Sequence, residues 1–533
     1  MRVQLRREDR VRPTSTSPLL RAAPFMLAAG LVIVACGGGG SSGGGGTTSV
    51  TPPPLVNGPA WLGFGADSQH AARAQVATQE LARILWKTPV DTAPQYTSQG
   101  YLLVHYGSPA ITSKNTVLIP VKRAAQELYR IEARAGYNGA LVWSMDSDYL
   151  MPGHNWTPSY NLTLTTSNRV YAPGAGGKLI YRDDADSAAS AQQTVAFYGN
   201  AAYTASKAAF DSSVFINTPV TADAQGNVYF GFIALAGNPG KLSSGFARID
   251  ASGNGSWTAV STLAQENSVT KPATNSAPAL SGDGKTLYVA VNGSTGNGYL
   301  VALDAATLGL KARALLVDPQ SQQPARVSDD GTASPTVGPD GDVYFGVLET
   351  TYGQHNARGW LLHFDASLAQ AKLPGSFGWD DTASIVPASM VPGYSGSSSY
   401  LVTTKYNNYA RAGSGDSKNK VAVLDPNASQ ADFLAGTPVM KEVLTVLGVT
   451  PDPNFPSGVT EWCINTAAVD PATRSIIVNS EDGWLYRWDL ASNTLAQKVR
   501  LTSGLGESYT PTAVGPDGTV YAINNAVLFA VGK

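Results

Sequence analysis

Two stretches decide the architecture: Ser334-Pro335-Thr336-Val337-Gly338-Pro339-Asp340-Gly341-Asp342-Val343-Tyr344, and Thr510-Pro511-Thr512-Ala513-Val514-Gly515-Pro516-Asp517-Gly518-Thr519-Val520-Tyr521. Each reads as a Ser/Thr-Pro start, a short apolar strand, a tight turn and a second apolar strand. The Asp-Gly pair marks the turn, because a short hairpin connection needs positive φ, which glycine adopts without steric cost. Weaker copies begin at Ser108-Pro109, Thr157-Pro158, Thr218-Pro219, Ala277-Pro278, Val386-Pro387 and Thr466-Ala467. The starts recur at roughly 45 to 80 residues, the interval of a propeller or array. They predict an all-β fold: one β-propeller of about eight four-stranded blades, or seven if the copy near 387 or 466 is an insertion.

The ends of the repeat array predict how the ring closes. The last copy stops at Leu528-Phe529-Ala530-Val531-Gly532-Lys533 without an outer strand, while Arg83-Ile84-Leu85-Trp86-Lys87-Thr88-Pro89-Val90 stands alone ahead of the first copy. Pairing the two supplies the missing strand and removes free sheet edges.

Composition agrees with many short strands. Among 533 residues, 55 are glycine and 33 proline, and only 14% are charged. Long amphipathic helices are hard to find. Formal net charge is −2, and residues 1–35 carry six arginines against two acids, so removing that net +4 leaves about −6. Such a chain has no basic footprint for nucleic acid. With two cysteines, Cys36 and Cys463, and a separate use for the first, a disulfide framework is excluded.

The first fifty residues carry an address. Arg2, Arg6, Arg7, Arg10, Arg12 and Arg21 precede a short apolar run from Phe25 to Val34, the pattern of an export signal. The run ends in Ile33-Val34-Ala35-Cys36, which resembles the bacterial lipobox. That resemblance implies a lipidated Cys36 and, with Gly37 rather than aspartate next to it, an outer-membrane destination facing the periplasm or the cell surface. GGGGSSGGGG at 37–46 reads as a flexible tether. The expected organisation is therefore a signal peptide over 1–35, a lipidated cysteine and disordered tether over 36–58, and a propeller over 59–533, monomeric and held to the membrane by its lipid.

A second signature follows the hairpins: Ala247-Arg248-Ile249-Asp250-Ala251-Ser252-Gly253-Asn254-Gly255-Ser256-Trp257, Ala302-Leu303-Asp304-Ala305-Ala306-Thr307, and Arg487-Trp488-Asp489-Leu490-Ala491-Ser492. It resembles the repeat of PQQ-type quinoprotein propellers. Physically, the aspartate accepts from turn amides, the glycine turns left-handed and the tryptophan packs between blades. The resemblance implies a quinone cofactor with calcium only in part. The adjacent cysteines common in those enzymes are missing, and so is a Cys-x-x-Cys-His haem signature, so redox activity does not carry over.

Chemistry is expected where residues just ahead of each inner strand gather at one mouth of the channel. Read copy by copy, these are His105 and Tyr106, His154 and Trp156, Asn217, Asn275, Asp329 and Asp330, Asp380 and Asp381, Glu461 and Trp462, and Glu507 and Tyr509. Carboxylates orient a ligand and aromatic faces stack on it. Adjacent acids are more often solvated turns, and two histidines alone do not make a metal site. Cys463 reads as a buried, inert thiol among apolar neighbours. No nucleophile elbow, zinc-protease motif or P-loop is present. The sequence thus favours a binding or scaffolding lipoprotein, similar in design to the propeller lipoprotein of the outer-membrane barrel-assembly machinery, taking a protein partner or a small polar ligand or glycan without a cofactor. The alternative is an enzyme, a quinoprotein oxidoreductase with PQQ and calcium or a carbohydrate-active propeller, using the acidic mouth.

Overall fold

The computed structural model describes residues 55–96, 102, 106–124, 128–151, 160–294, 296–329, 331, 333–408, 418–453, 455–503 and 510–533. Among the described residues, eight larger antiparallel sheets follow one another along the chain, at 110–147, 163–196, 214–259, 269–315, 336–364, 384–447, 468–500 and 513–532, with a two-stranded pair at 451–459 between the sixth and the seventh of them. They are the blades of an eight-bladed propeller, numbered 1 to 8 in that order. The seven-bladed alternative is not realised.

Burial follows the radial order of strands. The second strands Thr116–Lys122, Val343–Val347, Tyr400–Tyr406 and Val520–Asn524 are buried throughout. A strand covered by a neighbouring blade on both faces needs no polar side, which is why these segments read as continuous apolar runs. Outermost strands alternate instead, as Thr494–Arg500 does. The turn glycines predicted to need positive φ have it, at 92° for Gly341 and 82° for Gly518. The Asp signature also behaves as expected: Asp250 accepts from the amides of Ser252 and Asn254, and Asp304 from Ala306 and Thr307. Trp257 differs from the expectation, since it sits half-exposed on its outer strand against Phe232 of its own blade.

The Ser/Thr positions of the repeat join blades. Thr221, Thr336 and Ser384 donate their hydroxyls to the carbonyls of Pro278, Ala383 and Ala467 in the next blade at 2.6, 2.9 and 2.7 Å. Ser334 Oγ accepts from Ala277 N at 2.9 Å, and Thr382 Oγ1 accepts from Ser334 N at 3.0 Å. Thr336→Val should leave the buried Ala383 carbonyl short of a donor and cost about 1–3 kcal/mol, read as a lower denaturant midpoint at unchanged m-value.

Two blades depart from the sequence reading. Blade 5 has three strands, and the fourth place is taken by isolated bridges from Leu361 to Gly375 and from Phe364 to Ala371. Pro374, with no N–H, interrupts a ladder there. Blade 6 begins with Ser384–Pro387, so Thr382-Ala383 holds the start position and Val386-Pro387 closes the inner strand.

The ring closes as predicted. Arg83–Pro89 pairs antiparallel with Val527–Gly532, from Arg83 opposite Gly532 to Pro89 opposite Val527. Trp86 of this strand donates to Gly136 O of blade 1 at 2.6 Å, locking the joint to the next blade.

Ahead of the closing strand, residues 58–79 visit the inner strands in blade order. Gly58 N donates to Ser113 O, Trp61 exchanges both backbone bonds with Ile111 of blade 1, and Leu62 O accepts from Leu164 N of blade 2. Ser68 O accepts from Leu280 N of blade 4, Gln69 O from Val337 N of blade 5, Ala71 O from Ile385 N of blade 6 and Ala72 O from Val469 N of blade 7. Gln79 N donates to Gly518 O of blade 8. Phe64, between the blade 2 and blade 4 contacts, meets His70, held by Pro335 O of blade 5, edge to face at 4.9 Å. The segment folds on itself, with Ala72 N bonded to Gly65 O. It plugs the end of the channel nearest the turns between first and second strands. Burial lowers the His70 pKa to about 4, so the plug carries a neutral imidazole.

Candidate functional site at the open mouth

The opposite end of the channel, where the inner strands begin, holds the candidate residues that the structure describes: Asn217, Asn275, Asp381, Glu461 and Trp462. Cys36, His105, His154, Trp156, Asp330, Glu507 and Tyr509 lie outside the described residues, as does the tether up to residue 54.

Asn217 and Asn275 sit in breaks of split inner strands, Val214–Ile216 with Thr221–Ala222 and Val269–Pro272 with Ala279–Leu280. Pro219 and Pro278 cannot donate and so interrupt each strand. Asn275 has φ 66°, and its N–H bonds to Asn217 O at 2.9 Å; Asn217 Nδ2 in turn donates to Pro272 O at 2.9 Å. These asparagines knit blades 3 and 4 together. Trp462 is likewise buried between blades 6 and 7, exchanging backbone bonds with the Asn407 amide group at 3.1 and 3.3 Å and meeting Tyr486 edge to face. Its ring packs in the apolar cluster of those blades rather than offering a face for stacking.

Asp380, Asp329 and Asp91 each face a lysine. Lys405, at the end of the second strand of blade 6, is buried, with Nζ 2.8 Å from Asp380 O and 3.9 Å from Asp380 Oδ2. Asp381 accepts from the Thr404 hydroxyl. Burial pushes the Asp381 carboxyl up to about 7; the Lys405 charge and the Thr404 hydrogen bond oppose the rise, and the Asp380 charge adds to it. Lys271 pairs with Asp329 across blades 4 and 5. Where blades 8 and 1 meet, Lys122 Nζ and Tyr106 OH reach Asp91 Oδ2 at 2.8 and 2.9 Å, and burial, with Asp91 beside it, holds the Tyr106 phenol protonated. A carboxylate with a pKa near neutrality beside a buried amine can move a proton at physiological pH.

The sequence reading missed Lys405 and Lys122 because it searched ahead of the first strand, whereas both stand at the end of the second. The signal was available: a lysine terminating an otherwise apolar, doubly buried strand, as in Leu401-Val402-Thr403-Thr404-Lys405. Arg358 and Trp379, from connections in blades 5 and 6, complete this sector. The Trp379 N–H bonds to Arg358 O, and the Arg358 guanidinium lies 4.1 Å from the Tyr406 ring centre.

Cys463 is buried as expected, but its neighbours are polar. Its Sγ is 3.8 Å from Glu461 Oε2, and Glu461, Cys463 and Glu481 each bring one ligand atom within 4.8 Å of the others. This set mixes a soft thiol with carboxylates, whereas calcium takes oxygen ligands only.

No protein-family model matches the chain, and no curated protein matches it in sequence. Solved structures do match. A europium-containing methanol dehydrogenase superposes with TM-score 0.54 at 10% identity, covering 87% of this chain and 89% of that one. Quinohemoprotein alcohol dehydrogenase from Comamonas testosteroni gives TM-score 0.51 at 12% identity, over 89% and 81%. BamB from Moraxella catarrhalis gives 0.41 at 13%, over 84% and 98%. The first two place the fold with the propellers of quinoprotein dehydrogenases, and at these identities the likeness is one of fold. Among the described residues, a cavity beside Trp379 on the mouth side is about 20 Å³. Ligand sites run to about 300 Å³ or more. Neither that space nor the thiol-bearing Glu461 cluster fits a tricyclic quinone with calcium, so no step is derived through that pair.

Proposed function

We propose that this protein is a ligand-binding propeller of the bacterial cell envelope, held to the outer membrane by lipid on Cys36 and binding a small polar ligand or glycan at its open mouth. The observation that carries this reading is the plug. With one end of the channel filled by residues 58–79, the other end, with Asp381, Lys405 and the asparagines, becomes the mouth of a cup. A cup with buried, compensated charges is suited to orienting a polar molecule. The tether leaves the propeller at Gly58, beside Pro516 and Ser113 on the plugged side, so the mouth is free to face away from the bilayer.

A second reading, proton-transfer catalysis at the mouth, is favoured by the near-neutral pKa of Asp381 beside Lys405.

Two measurements test the proposal. Cys36→Ser should move the protein from the membrane fraction of a Gram-negative host to the soluble fraction; continued membrane association would remove the lipid anchor from the account. Thermal-shift screening of the purified chain against neutral sugars, sugar acids and short peptides should find a ligand whose stabilisation is weakened in Asp381→Asn but kept in Asp283→Asn, on the plugged side. Equal responses in both variants would place binding elsewhere.

A further inference from the structure

We propose that a small cavity on the mouth side, where blades 4, 5 and 6 meet, binds a carboxylate group. The inference deepens the reading of the mouth as a ligand site and rests on it only for the direction from which the ligand arrives. The cavity is about 20 Å³ and is lined by Ser276 of blade 4, Arg326 and Gly331 of the connection into blade 5, and Trp379 and Asp380 at the entry to blade 6. A volume with room for about one to two water molecules holds a carboxylate head rather than a ring.

The lining holds several donors that nothing among the described residues accepts from. Arg326 Nε and Nη2, Ser276 Oγ and Trp379 Nε1 are all shielded from solvent and without a hydrogen-bond partner. Ser276 is 4% exposed and Trp379 6%, so bulk water does not serve them. Buried polar groups are nearly always satisfied, and an unmet set on residues that line one cavity calls for an acceptor there. Arg326 has no ion pair among the described residues; its guanidinium lies 5.6 Å from the Tyr352 ring centre. Asp380 lines the same cavity, with Oδ2 3.9 Å from Lys405 Nζ. A fork of guanidinium N–H groups with a hydroxyl and an indole N–H suits two coplanar oxygens carrying one negative charge. Gly331 keeps the space open, since a Cβ there would stand 3.5 Å from the Trp379 ring and 3.2 Å from Ser328 O.

The test is a titration of the full-length protein with acetate and, in parallel, glucuronate at constant ionic strength, followed by saturation-transfer NMR on the ligand protons. Acetate should saturate with a Kd of about 1–10 mM, the range open to a ligand of four heavy atoms. Arg326→Met should weaken it by about tenfold or more, and Ser276→Ala by about threefold. Arg313→Met, on the outer strand of blade 4, should change nothing. Because the Arg326 guanidinium has no ion pair among the described residues, Arg326→Met should melt at or above the parent temperature, a result that a structural arginine would not give. Glucuronate binding as tight as acetate, and equally dependent on Arg326, marks the site as the carboxylate end of a larger ligand; acetate binding alone marks a small free acid. Either supports the proposal. No saturation by about 100 mM acetate, or equal binding in Arg326→Met, overturns it and leaves water as the occupant. The wider reading fails separately: its mark is a ligand panel with no response to Asp381→Asn, whatever acetate does.

Discussion

Removal of Val527–Lys533 is expected to abolish cooperative folding rather than to fray one end. The strand Val527–Gly532 is the third of blade 8 and pairs on one side with Val520–Asn524 and on the other with Arg83–Pro89. Its loss strips partners from both neighbours and exposes two edges at once. Leu528, Phe529, Ala530 and Val531 are all buried in the core shared with blade 1. At about 1.5–3 kcal/mol for each large apolar side chain, the lost burial alone is about 5–9 kcal/mol. That is comparable to the whole stability of an ordinary domain, about 5–15 kcal/mol. Thermal melting followed by circular dichroism should show no sharp transition for the truncated chain, and an unchanged midpoint would contradict the closure.

Asp381→Asn is expected to stabilise the protein above neutral pH. The folded chain keeps the Asp381 proton up to about pH 7, because burial disfavours the charge more than Lys405 and Thr404 favour it. The unfolded chain releases that proton near pH 4. Between about pH 4 and 7 the unfolded state therefore binds fewer protons, so this group makes stability fall as pH rises, by on the order of a few kcal/mol in all. Asparagine keeps the shape and removes the titration. Denaturant melts at pH 4.5 and pH 8 should find the variant close to the parent at the lower pH and more stable at the higher. A variant less stable at pH 8 would mean that Asp381 is ionised in the fold and held by Lys405. A group that costs stability at the pH where the protein works is the mark of a site kept for function rather than for packing.

The repeat was legible because its turn chemistry is local: Asp340-Gly341 and Asp517-Gly518 announce positive φ whatever surrounds them. The closing strand was legible for a related reason, since a copy without an outer strand at one end and a lone strand at the other can satisfy only each other. The plug was not legible. Trp61-Leu62-Gly63-Phe64-Gly65-Ala66 has neither strand nor helix periodicity, and the order of the plug comes from backbone bonds to inner strands of six blades and to the turn at Gly518 in blade 8. The fourth place in blade 5 was misread because the bridging segment around Pro374-Gly375 pairs only at isolated points. At the mouth, sequence located the acids and missed their lysines. An acidic ring read from one strand became a set of pairs once the second strand was in place. Trp462 shows the same limit: its residue type suits a ligand, while its position between blades commits it to the core.

Hydrogen exchange resolved to residues 61–74 of the full-length protein tests the central claim, a propeller channel sealed at one end by its own chain and open at the other, most directly. The amides of Trp61 and Ala74, bonded to blade strands, and that of Ala72, bonded to Gly65 O within the plug, should exchange as slowly as those of the inner strands and open only with global unfolding. Exchange of this segment as fast as that of an unstructured peptide would mean that the plug does not hold, and the cup with its single mouth would have to be given up.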